Sequence, residues 1–163
     1  MQDRLRPNDE TNTEALEHAV LDVMLQLPRP WSEAELGRHI VQPGDIPTAL
    51  SSLSDAGLIN RWDGFAAASY AAIRIFGINH DDDPCSTHEH RHEYAVLELL
   101  LATNDGETPM SRKEVCRELG ARKQKRLDIQ DAIDRLDAAG LLESVGNLLF
   151  PSRAALRFDH LST

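Results

Sequence analysis

The sequence predicts a mainly α protein with small β-hairpins, built as two tandem, similar halves. Three observations carry this reading. The stretch from Asp45 to Arg74 recurs 83 residues later as Asp128 to Arg157, with 11 identities in 30 positions and no gap. Apolar residues recur at helical spacing in segments bounded by caps, prolines and glycines. Asp63-Gly64 in the first copy and Gly146-Asn147 in the second fall where a tight hairpin turn is needed. A repeat of this quality outranks any single motif and points to an internal duplication.

Taken in order, residues 1–12 are polar, include Pro7 and show no apolar period, which predicts a mobile tail. From Thr13, with Glu17 close behind, Leu16, Val20, Val23, Met24 and Leu27 form the stripe of a first helix that Pro28 ends. Ser32 and Glu35 form the Ser-x-x-Glu capping box of a second helix, whose Leu36 and Ile40 face inward. Gln42-Pro43-Gly44 reads as a turn. A third helix starts at Asp45, tolerates Pro47 in its first turn, carries Ile46, Leu50 and Leu53 inward, and stops at Gly57. Leu58 to Ala68 reads as a hairpin around Asp63-Gly64, and Ser69 caps a last helix to about Ile75.

The second copy repeats this order. Glu17-x-Ala19-Val20-Leu21-Asp22 returns as Glu93-x-Ala95-Val96-Leu97-Glu98 at an offset of 76, Ser32 aligns with Ser111 at 79, and the core stretch lies at 83. The second copy therefore has about four extra residues before its third helix, and they coincide with Arg122-Lys123-Gln124-Lys125-Arg126. The predicted organisation is a disordered tail at 1–12, a first domain at 13–79, a polar His- and Asp-rich linker at 80–92 and a second domain at 93–163.

Composition limits function. With 41% hydrophobic and 27% charged residues the chain reads as a globular protein, no apolar run approaches the length of a membrane span, and the charged N-terminus does not read as a signal peptide. These features predict a cytoplasmic protein without membrane contact. Two cysteines, Cys85 and Cys116, fit neither a disulfide framework nor a CxxC site. The net charge of −10 argues against a dedicated nucleic-acid coat, but the charge is uneven. Residues 1–79 hold 6 basic and 11 acidic side chains, whereas residues 94–163 hold 10 and 11.

Short helices followed by a hairpin, joined by Leu53-x-x-Ala56-Gly57-Leu58-Ile59 in one copy and Leu136-x-x-Ala139-Gly140-Leu141-Leu142 in the other, resemble the winged helix-turn-helix family over residues 13–76 and 93–161. The resemblance implies a tandem winged-helix protein that binds DNA with its third helix in the major groove and its wing on the backbone. The first copy presents Thr48, Ser51, Ser52 and Asp55 on that helix, with no Lys or Arg and only Arg61 near the wing, so it lacks phosphate contacts. The second copy places Arg112, Lys113, Arg117, Arg122, Lys123, Lys125 and Arg126 around the turn into its third helix, where this family meets phosphate. Opposing them, Asp131, Asp134 and Asp137 lie on the outward face of the helix, and the wing from Glu143 to Phe150 has no base.

The leading expectation is a non-enzymatic, DNA-binding, transcription-regulatory protein whose second domain contacts double-stranded DNA, with the first used for packing, dimerisation or a protein partner. The apolar run Ile73, Ile75, Phe76 and Ile78 exceeds what one small module buries, and packing on the second domain or in a homodimer would account for it. The competing expectation is a protein-protein adaptor, similar to the acidic tandem winged-helix subunits of chromosome-condensation complexes, with Trp62 as an exposed anchor. A third is a metal-responsive regulator. Imidazoles two apart on an extended strand share a side, so Cys85, His88, His90 and His92 could hold zinc or another transition metal, although their spacing matches no defined site. Otherwise no cofactor is expected. No GxSxG, HExxH or phosphate-binding glycine loop is present, so catalysis has no motif behind it, and His18 and His39 read as surface or helix-end residues.

Overall fold

A computed structural model describes residues 7–41, 44–79, 88–103 and 108–162. The molecule is mainly helical, with two small antiparallel sheets. In the first half the order is α1 (Pro7–Gln26), β1 (Trp31–Ser32), α2 (Glu33–His39), α3 (Ile46–Asp55), β2 (Ile59–Trp62), β3 (Phe65–Ala68) and α4 (Tyr70–Asn79). The second half repeats it as α5 (His88–Ala102), β4 (Met110–Ser111), α6 (Arg112–Glu118), α7 (Lys123–Ala138), β5 (Leu142–Val145), β6 (Leu148–Pro151) and α8 (Arg153–Ser162). Among the described residues no helix is long and apolar enough to cross a membrane.

Local chemistry explains the elements. Ser32 and Glu35 close the expected capping box, with the Glu35 N–H on Ser32 Oγ at 3.2 Å and the Ser32 N–H on Glu35 Oε2 at 3.0 Å. Ser111 and Glu114 do the same at 3.2 and 2.7 Å. Gly57 and Gly140, at φ +79° and +77°, end α3 and α7 in the left-handed conformation that side chains disfavour. The N–H of Leu58 then returns to the Leu53 carbonyl at 3.0 Å, and that of Leu141 to Leu136 at 2.9 Å, which satisfies the orphan carbonyls of each helix end. Asp63 and Gly64 both take positive φ, as a two-residue hairpin turn requires.

Four expectations change. The first helix begins at Pro7 rather than Thr13, so only part of the polar tail lies before it; proline suits a first helical position and an apolar period is not needed there. The helix α5 starts at His88, five residues inside the stretch read as linker, whose remainder, with Cys85, lies outside the described residues, as does Gln42-Pro43. Each hairpin gains a third strand, because Trp31-Ser32 pairs with Phe65-Ala66 and Met110-Ser111 with Leu148-Leu149. The basic insertion does not form a loop: Lys123 to Asp128 are helical and lengthen α7 to 16 residues, against 10 in α3.

One apolar core runs through both halves, from Leu16, Val20 and Met24 on α1 through Leu50, Leu53 and Leu58 to Ile129, Ile133 and Leu136 on α7. The last helix of each half reaches across to the other. The helix α4 packs on α8 and α5, and α8 packs on α4 and α1. That answers the excess of apolar surface after the first hairpin: Ala71, Ala72, Ile75 and Ile78 are buried, while Ile73 remains exposed.

Candidate functional site

The basic residues singled out in the second half assemble on the ends of α6 and α7. The Ser111 box fixes the start of α6, which presents Arg112, Lys113 and Arg117. At the far end Lys125 Nζ donates to the Leu119 carbonyl at 3.1 Å, so a cation caps the negative end of α6 and ties it to α7. The helix α7 opens at Arg122, which makes no side-chain cap bond, and its first turn contains no carboxylate. Arg122, Lys123, Lys125 and Arg126 are all exposed there. Four cations at the positive end of a helix dipole are mutually unfavourable without a counter-charge, and the free N–H groups of such an end suit an anion. Burial pushes the Cys116 thiol up, and Arg126 and then Arg112 oppose the shift.

The rest of α7 differs. Arg112 is engaged by Asp134 at 2.7 Å, which removes one cation from the cluster and offsets one acid. Leu127, Asp131, Asp134 and Ala138 share an exposed face, so the middle of the helix offers carboxylates and no base. In the first half the equivalent helix exposes Thr48, Ser51 and Asp55, with Ser52 half-buried. Arg61, the one base near that wing in sequence, is committed: it donates to Ser51 Oγ at 2.9 Å and pairs with Glu33 at 3.3 Å.

Both hairpins carry an exposed apolar pair beside the turn. Trp62 sits opposite Phe65, and Val145 opposite Leu148, at matching positions of the two copies. Their exposures are 44%, 43%, 65% and 39%. Trp31, by contrast, is buried, donates from Nε1 to the Leu27 carbonyl at 3.1 Å and carries the Arg29 guanidinium 3.7 Å above its ring. Aromatic packing accounts for it.

The extended-strand geometry expected for the linker histidines does not apply, because His88, His90 and His92 are helical and residues two apart on a helix diverge by about 200°. His90 approaches Arg74 at 3.4 Å, and His92 lies 4.0 Å from Asp128 on α7. Among the described residues no group of three His, Cys, Asp or Glu side chains is placed to hold a metal ion. His18 and His39 are exposed, His39 as the last residue of α2.

Sequence reasoning missed two buried carboxylates. Glu93 on α5 is fully buried and accepts two hydrogen bonds from Arg74 of α4, at 2.7 and 3.0 Å, and one from Arg135 of α7 at 2.6 Å. Glu17 on α1, equally buried, pairs with Arg157 of α8. Glu17 aligns with Glu93 and Arg74 with Arg157, so each half supplies the same acid and the same base and receives the other's partner. This reciprocity is the pattern of an isologous, twofold interface within one chain. The signal was present as an acid and a base that both survive in the repeat.

No protein-family model and no curated protein matches the chain.

Proposed function

We propose that the chain is a tandem winged helix-turn-helix protein of the regulatory class, arisen by internal duplication and non-enzymatic, which binds double-stranded DNA through the second half. The observation behind the reading is the basic, carboxylate-free first turn of α7. In this family's docking mode that turn lies at the entrance to the groove. The acids at Asp131 and Asp134 oppose a helix lying flat in the groove, so contact is end-on: Arg122, Lys123, Lys125 and Arg126 clamp phosphate, and base reading is slight. The first half contributes rigidity rather than cations.

A labelled duplex of random sequence, titrated at low and moderate salt, tests this. Wild type should bind with a steep salt dependence, and replacing Arg122, Lys123, Lys125 and Arg126 with Ala should flatten the log–log slope by roughly 3–4, about 0.9 per phosphate contact. Absence of binding at low salt would sink the reading.

The apolar wing pairs favour a second reading, a protein-protein adaptor. Exposed Trp and Phe beside a turn are typical anchors of protein interfaces, and a wing without a base has no attraction for phosphate. In that case Trp62→Ala would abolish partner capture and the quadruple Ala variant would leave it intact.

A further inference from the structure

Where the two halves meet, α1, α4, α5 and α8 leave a cleft of about 590 Å³ open to solvent. We propose that this cleft is a binding site for a small organic cation with an apolar, aromatic-sized body. The volume is that of a small-molecule site, for which roughly 300–1,000 Å³ is usual. Its floor is fixed by the core, since Leu21, Leu97, Ile75 and Phe158 line it and are themselves buried. A floor that cannot collapse is a preformed one.

The charge in the cleft has one sign. Asp22 on α1, Glu98 on α5 and Asp159 on α8 contribute to the lining, which contains no Lys or Arg, and His18 is its only other titratable side chain besides Tyr94. Carboxylates lining a cleft focus a negative potential inside it and concentrate cations there. The two copies also line the cleft unequally. Leu21 and Leu97 are equivalent in the two copies, as are Asp22 and Glu98, but Phe76 stands where the second copy has Asp159, and Tyr94 where the first has His18. The lining aromatics are Phe76 on α4, Tyr94 on α5 and Phe158 on α8, and the carboxylates Asp22, Glu98 and Asp159 come from α1, α5 and α8, so α5 and α8 each bring a ring and an acid. The cleft thus combines aromatic surface with carboxylate charge. The ligand that satisfies both is an organic cation that also presents ring surface, with cation–π attraction from Phe76 and Tyr94 adding to the charge term.

The inference stands apart from the DNA reading, since none of these residues belongs to the basic cluster. Tetraphenylphosphonium and tetraphenylborate form a matched test, being close in shape and opposite in charge. Calorimetric titration of the full chain should show the cation bound at one site, at least about tenfold more tightly than the anion. The pair Asp22→Asn with Glu98→Gln, which preserves size at two partly solvated positions, should erase that preference, and Phe76→Ala should weaken the cation without erasing it. Equal affinity for both ions, preference for the anion, absence of saturable binding, or a preference unchanged by the carboxamide variant would each overturn the proposal. Circular dichroism melting of each variant separates loss of the site from loss of the fold.

Discussion

Single side chains here act mainly by closing backbone hydrogen bonds. Ser69 and Ser152 are buried caps whose hydroxyls accept the N–H groups of Ala72 and Ala155, each at 3.2 Å, and Ser69 Oγ also donates to the Gly57 carbonyl at 2.7 Å. Ser69→Ala strands a donor and a carbonyl together, so urea unfolding should show a loss of about 1–2 kcal/mol. The capping-box carboxyls give a pH prediction. Glu35 and Glu114 are held below the ordinary carboxylate value, first by the hydrogen bond from the backbone N–H of Ser32 or Ser111. A depressed folded value means the bond stabilises above the ordinary carboxylate range and is lost as pH falls through the folded value. Ser111→Ala keeps the backbone N–H and removes the hydroxyl, so NMR titration should place Glu114 only part of the way back to normal. A full return would show that the hydroxyl, not the backbone, sets the shift.

At the scale of elements, sequence legibility depended on periodicity. The third helices, their glycine stops and both hairpins could be read because the stretch that recurs 83 residues later states them twice. The two-residue strands β1 and β4 could not, since two residues have no period, and Ser32 and Ser111 already announced themselves as caps. The helical starts of α1 and α5 were hidden because polar first turns look like tail or linker. The seven bases of the candidate site were visible as a cluster, but the sequence separates Arg112 from Asp134 by a helix and a turn, so their pairing was not. This pairing yields a prediction: Asp134→Asn should release Arg112 and reduce repulsion together, raising nonspecific duplex affinity severalfold at low salt. Unchanged or weaker binding would place α7 away from the DNA. The wings make the opposite demand, because Val145→Lys adds a cation where the DNA mode needs one and blunts an apolar anchor where an adaptor needs it.

At the scale of the molecule, the reciprocal acid–base pairs determine whether the halves behave as one unit. Both Glu17 and Glu93 are buried in the interface, and an ionised carboxylate deprived of its partner there costs about 3–5 kcal/mol. The two sides are not equal, however. Glu93 has Arg135 in addition to Arg74, whereas the position matching Arg135 in the first half is Ser52, and among the described residues Glu17 has no such second guanidinium. Arg74→Ala therefore leaves Glu93 with a cation at 2.6 Å, while Arg157→Ala leaves Glu17 without its paired cation. The second substitution should be the more damaging by about 1–3 kcal/mol in chemical denaturation. Adding Glu17→Gln to Arg157→Ala should recover part of that loss, because it removes the stranded charge, and the double-mutant cycle should report coupling well above the uncertainty of additivity. With a continuous core through both halves, wild type should unfold in one transition followed identically by Trp31 in the first half and by amide exchange in the second. If Arg74→Ala proved as costly as Arg157→Ala, or if the halves melted apart in wild type, the buried pairs would be surface decoration on two independent domains rather than the joint that makes a single body of them.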